Sequence, residues 1–164
     1  MTKQLLVFVS ALLSFTLMSF STTVDDSTEA TFDYSALITL RAGTPISLSL
    51  NQEVHADEVE IGNSIEFLVR SNVTVNGQVI IAAGSIAEGM IKDVVKTCDT
   101  CKRKAACSKL VISVETAQAV DGQQVYLRSI PMTVKGNCCC NEMAIANIGK
   151  TVSARVQNDV RINA

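Results

Sequence analysis

The residues best suited to chemistry in this 164-residue chain are its six cysteines, all of which fall between Cys98 and Cys140. They form two triplets: Cys98-x-x-Cys101 followed by Cys107, and the consecutive Cys138, Cys139 and Cys140. Three chemistries fit. An even number of cysteines in an exported chain suits a disulfide staple between two loops. Requiring every bridge to join one triplet to the other reduces the fifteen pairings open to six cysteines to six. A bridge closing about forty residues stabilises by roughly 3–4 kcal/mol in the loop-entropy model. Three adjacent cysteines oppose this with strain, because neighbouring side chains of extended chain point to opposite faces.

The second chemistry is thiolate metal binding. Cys98-x-x-Cys101 is a common half-site for zinc or an iron–sulfur centre, and copper(I) also suits clustered thiols. The second triplet does not repeat that spacing, and the sole histidine, His55, is distant in sequence. The third is redox activity at Cys98 and Cys101. Lys92, Lys96, Lys102, Arg103, Lys104 and Lys109 surround them and would favour thiolates, but no βαβ pattern frames the pair. The same basic residues, set against Asp93 and Asp99, read as a solvated electropositive loop that could also dock on an anionic surface such as lipid headgroups or acidic polysaccharide. The staple is the expectation adopted here, with no cofactor; zinc, copper or iron–sulfur ligation is the alternative.

The elements that must position these cysteines show a period of two. Ile46, Leu48 and Leu50 alternate with Ser47, Ser49 and Asn51, and Ile65, Phe67 and Val69 with Glu66 and Arg70, Leu68 being the apolar exception. Leu110, Ile112 and Val114, then Val152, Ala154 and Val156, repeat the pattern. Asn76-Gly77 between Val73–Val75 and Val79–Ile81 is the strongest hairpin signal, and Asp121-Gly122 sits similarly between Val120 and Val125. No helical stripe longer than about ten residues appears; Glu53 to Ile61 suits a short helical turn at most. Strands at regular spacing with hairpin turns predict an all-β fold, a small antiparallel barrel or barrel-like sandwich. Each cysteine triplet (98–107 and 137–140) falls in a loop, and in a meander the two loops could open at the same end.

The first residues have a different character. Lys3 precedes an apolar run from Leu5 to Phe20, the layout of a secretory signal peptide with a cut near Ser21; an uncleaved signal anchor is the alternative. Residues 22–36, with Asp25, Asp26, Glu29 and Asp33 among serine and threonine, read as an acidic linker whose Phe32 and Tyr34 could tuck against the domain. The barrel domain is expected over 37–164. Three phenylalanines leave with the signal, so only Phe67 and Tyr126 remain as aromatics within the barrel, and valine, isoleucine, leucine and alanine must build the core.

Charge is uneven along the chain. Residues 22–66 carry nine acids against Arg41 alone, whereas 67–164 carry seven acids against twelve bases. The whole has a net charge of −2 and no basic motif interleaved with aromatics, which argues against nucleic-acid binding. The asymmetry is either neutralised within the fold or favours self-association. His55 with Asp57 and Glu58 reads as a turn in an acidic surface loop, Asn72-Val73-Thr74 matches a glycosylation sequon inside a hairpin strand, and Glu66, Glu88 and Glu115 read as solvent-face carboxylates. No serine elbow, phosphate loop or paired-histidine motif appears, so an enzyme is not expected.

Three stretches carry a family resemblance: Arg41-Ala42-Gly43-Thr44-Pro45-Ile46, Ile61-Gly62-Asn63-Ser64-Ile65-Glu66-Phe67, and Val79-Ile80-Ile81-Ala82-Ala83-Gly84-Ser85-Ile86-Ala87-Glu88-Gly89. Over residues 41–128 the chain resembles a small exported bacterial β-barrel domain, and is similar to the C-terminal barrel of VirB10/TrbI-like secretion-channel proteins. There an apolar–apolar–Pro–x–Gly–Ser–x–x–x–Gly stretch closes one strand and opens the next; Ala82 stands here in place of the proline. The resemblance implies a barrel and an envelope location, and it offers no catalytic residue. The expectation is thus an exported, periplasmic, envelope-associated or secreted module that is structural or binds an envelope or surface protein.

Overall fold

A computed structural model describes residues 37–97, 107–137 and 142–164. The expected signal (1–21) and linker (22–36), with Phe32 and Tyr34, lie outside the described residues, which contain strands and turns and no helix.

The strands are β1 (Leu37–Leu40), β2 (Pro45–Leu50), β3 (Val54–His55), β4 (Ser64–Val69), β5 (Val73–Val75), β6 (Gln78–Ile81), β7 (Ile86–Val95), β8 (Lys109–Gln118), β9 (Gln124–Ser129), β10 (Met132–Lys135), β11 (Ile145–Ala146), β12 (Thr151–Val156) and β13 (Val160–Asn163). The order β8-β7-β4-β2-β12-β9, closed by a β9–β8 pairing, makes a six-stranded antiparallel barrel, and β10 joins the free half of β8. Closure removes the unpaired edges that an open sheet of this size would expose.

The alternation in the sequence has its expected consequence. Ile46, Leu48 and Leu50 of β2, Ile65, Phe67 and Val69 of β4, and Leu110, Ile112 and Val114 of β8 all point inward and are buried. Phe67 fills the centre, with no solvent exposure, among branched and small side chains. Tyr126, the other aromatic of the barrel, points outward from β9 and is 61% exposed.

Strand β7 is bulged against β8 between Glu88 and Gly89 and again between Ile91 and Asp93. Such bulges bend a strand and raise its twist, which a small barrel needs in order to close. At one end, the β1–β13 pair and the β5–β6 hairpin cover the core with Ile38, Leu40, Ile80, Ile81 and Ile162.

The hairpin turns differ from each other. Asn76 and Gly77 both have positive φ (51° and 84°), as the type I′ turn requires. At Asp121-Gly122 only Gly122 does (83°), and its N–H reaches the carbonyl of Ala119 at 3.0 Å. This is a type I turn ending in a left-handed glycine, within a longer loop than the two-residue hairpin the sequence suggested. Asp121 instead uses its carboxylate, which accepts the N–H groups of Gln123 (2.9 Å) and Asn163 (3.0 Å) and fastens this loop to β13.

Candidate functional site

The cysteine-bearing segments leave and re-enter the barrel at one end. The first leaves β7 after Val95 and returns at Cys107 into β8; the second leaves β10 after Lys135 and returns before β11. Cys98, Cys101, Cys138, Cys139 and Cys140 lie outside the described residues, as do Lys102, Arg103 and Lys104. What the described residues fix is the base of both segments.

Ser108 organises that base. It is 5% exposed, one of only two polar residues buried among the described residues. Its hydroxyl donates to the carbonyl of Val95 (3.1 Å) and accepts from the N–H of Ala144 (3.0 Å). Its own carbonyl accepts the N–H of Gly136 at 2.8 Å. One residue therefore holds both ends of both segments, because Val95 precedes the first triplet, Ser108 follows it, Gly136 precedes the second and Ala144 follows that. The meander expectation that the two loops open together holds for their flanks.

The turn after β3 completes the platform. The Asp57 carboxylate accepts the N–H of Thr97 at 2.7 Å, and the N–H of Ala56 bonds the carbonyl of Ala144 at 3.0 Å. β3 pairs with β11 through His55 and Ile145. His55, remote from the cysteines in sequence, is thus brought to the end from which they project. Its imidazole bonds the Glu53 carboxylate at 2.6 Å and lies 3.8 Å from that of Glu58. The hydrogen bond to Glu53 raises the histidine pKa above its usual 6.5; burial opposes this, and the charges of Glu58 and Glu53 reinforce it. The residue pairs with Glu53 as well as Glu58, whereas Asp57, grouped with it on sequence grounds, is turned to the backbone of Thr97.

The described members of the basic group are strand residues or lie beside strands. Lys92 on β7 is ion-paired with Glu115 of β8, and Lys109 at the start of β8 with Asp93 of β7. Lys96 is exposed just beyond β7. Two of the cations are thus balanced by carboxylates on neighbouring strands. Sequence reasoning passed over Ser108 and Ser129 and read Asp57 only as part of an acidic surface turn; the side chain of each satisfies backbone groups. Nothing in their spacing marks them; only their partners do.

No family model matches this chain, and no curated protein matches it. Solved structures do match, among them ComB10 of the Com Type IV secretion system of Helicobacter pylori. That match has 11% identity and a TM-score of 0.45, and covers 76% of this chain and 90% of ComB10. Identity this low leaves function to be argued from the chain's own residues.

Proposed function

We propose that this chain is an exported, non-catalytic structural or interaction module of the cell envelope, whose two cysteine segments form a disulfide-stapled cap at one end of the barrel. The observation that carries this reading is the convergence on Ser108. Four chain ends meet at one buried hydroxyl and its backbone, which supports bridges from one triplet to the other without displacing the strands. The barrel interior is filled by hydrocarbon, with Ile46, Leu48, Leu50, Phe67, Ile91, Leu110 and Ile112 nearly or wholly inaccessible, so function belongs to the outer wall and the cap. The apolar run from Leu5 to Phe20 supports the exported location.

The test is a thiol count on the purified protein by alkylation and mass spectrometry, before and after reduction, with elemental analysis of the same sample. A stapled cap gives no alkylated cysteine before reduction, six afterwards, and no bound metal. Stoichiometric zinc, copper or iron with alkylatable thiols in the metal-free form would replace the staple by the metal-binding or redox reading. Cell fractionation checks the location: recovery in the cytosol overturns it.

A further inference from the structure

Strand β9 serves two neighbours in turn. Its first half pairs with β8 from Gln124 to Tyr126, and its second half pairs with β12 from Leu127 to Ser129. The chain then passes through Ile130 and Pro131 and rejoins β8 as β10 in a shifted register. The shift opens a groove of about 430 Å³ on the outer wall, a size within the range of roughly 300–1,000 Å³ for small-ligand sites. Lys92, Ser113, Glu115, Tyr126, Arg128 and Gln157 supply its polar lining.

Three observations point to a ligand. The hydroxyl of Ser113, on a residue only 8% exposed, has no hydrogen-bond partner. A buried hydroxyl is normally paired, and one left unpaired next to an open groove is available to whatever enters it. Tyr126 stands at the rim with most of its ring exposed. Arg128, two residues further along the same face of β9, is exposed and has no ion-pair partner among the described residues. Its cross-strand partner on β12 is a second cation, Arg155, whose guanidinium donates to the carbonyl of Gly43 at 3.0 Å. Like charges opposite each other on a sheet repel, and an anion beside them relieves that repulsion.

The backbone of the floor is already satisfied, since the Ser129 hydroxyl bonds both the N–H and the carbonyl of Val114. An added peptide strand would find the main-chain groups of Val114 already taken, which favours recognition through side chains. An exposed aromatic face, a hydroxyl, an amide, a carboxylate and an unpaired guanidinium are the groups that hold a sugar ring by its C–H face and its hydroxyls. The uncompensated charge is positive. We infer that this groove binds an acidic oligosaccharide, with Tyr126 stacking on a sugar ring, Arg128 holding its carboxylate and Ser113 bonding a hydroxyl.

The test is an NMR titration of uniformly labelled protein with tetragalacturonic acid, and in parallel with its fully methyl-esterified, uncharged form. Binding of the acid shifts the amides of Ser113 to Glu115 and Tyr126 to Arg128, and the ester binds about tenfold more weakly, the scale of one charge-assisted hydrogen bond. Arg128→Gln lowers affinity for the acid by the same factor, and Tyr126→Ala abolishes it. Both side chains are exposed, so both variants keep the wild-type melting temperature, and Ser113→Ala provides a third variant that disturbs no existing bond. Equal binding of acid and ester, shifts confined to other surfaces, full affinity in Tyr126→Ala, or equal displacement of the sugar by tetraglutamate would each overturn the proposal.

Discussion

The Ser108 hydroxyl accepts a hydrogen bond from the main-chain N–H of Ala144, 36 residues further along the chain, at 3.0 Å. That bond lies in the interior, where water cannot replace it. Ser108→Ala leaves the N–H of Ala144 and one acceptor site on Val95 unpaired, at a cost of about 1–3 kcal/mol. We expect urea unfolding to show a loss of that size, and hydrogen exchange at Ala144 to accelerate. An unchanged midpoint with unchanged exchange would mean the hydroxyl is not what holds the cysteine segments together.

Gly89 tests the bulge that closes the barrel. A methyl group at this position would lie 2.4 Å from the carbonyl oxygen of Ser113 and 2.8 Å from the ring of Phe67. The first neighbour is backbone and the second is the centre of the core, so neither yields cheaply. Gly89→Ala should destabilise by about 1–3 kcal/mol, the usual scale of overpacking, as read from thermal or urea unfolding. A variant as stable as the parent would show that β7 and β8 approach less closely than described.

Ser129 tests the strand exchange at the groove. Its hydroxyl accepts from the N–H of Val114 at 2.9 Å and donates to the carbonyl of the same residue at 3.2 Å, standing in for the strand partner that the register shift removes. Ser129→Ala should cost about 1–2 kcal/mol, while Ser129→Thr, which keeps the hydroxyl, should recover most of it. Equal losses in both variants would assign the effect to packing instead.

His55 gives the pH dependence. Its hydrogen bond to Glu53 raises the imidazole pKa above 6.5 in the folded protein, so the stabilisation from the pair is complete below that value and is lost as pH rises through the raised pKa. An NMR titration should place the His55 midpoint above 6.5, and Glu53→Gln should return it toward that value. A midpoint at or below 6.5 in the parent would remove the interaction from the folded state.

The barrel was largely legible in the sequence because strand alternation is a local signal. Residues Ile46 to Leu50 and Ile65 to Val69 each state which face is buried, and Asn76-Gly77 states where the chain reverses. The closing contacts were not legible. The pairing of β1 with β13 joins Leu37 to Asn163, and no local pattern in two four-residue segments specifies a partner so far away. The exchange of β9 between β8 and β12 left no mark either, since its residues alternate as an ordinary strand would.

Ser113 and Ser129 show the same division at the candidate groove. Both stand on strands as polar residues, Ser113 between Ile112 and Val114 on β8 and Ser129 in step with the buried Val125 and Leu127 on β9, and their spacing states a face but names no hydrogen-bond partner. The fold gives Ser129 the two main-chain groups of Val114 as partners and leaves the Ser113 hydroxyl with none. The sequence by itself determined the all-β class, the composition of the core and the grouping of the cysteines into two segments, because each depends on residue type and near-neighbour spacing. The tertiary structure alone decided that both segments are held at Ser108, that His55 reaches the same end of the barrel, and which serine keeps a free hydroxyl. Those outcomes depend on partners supplied by distant chain, and such partners exist only once the barrel has closed.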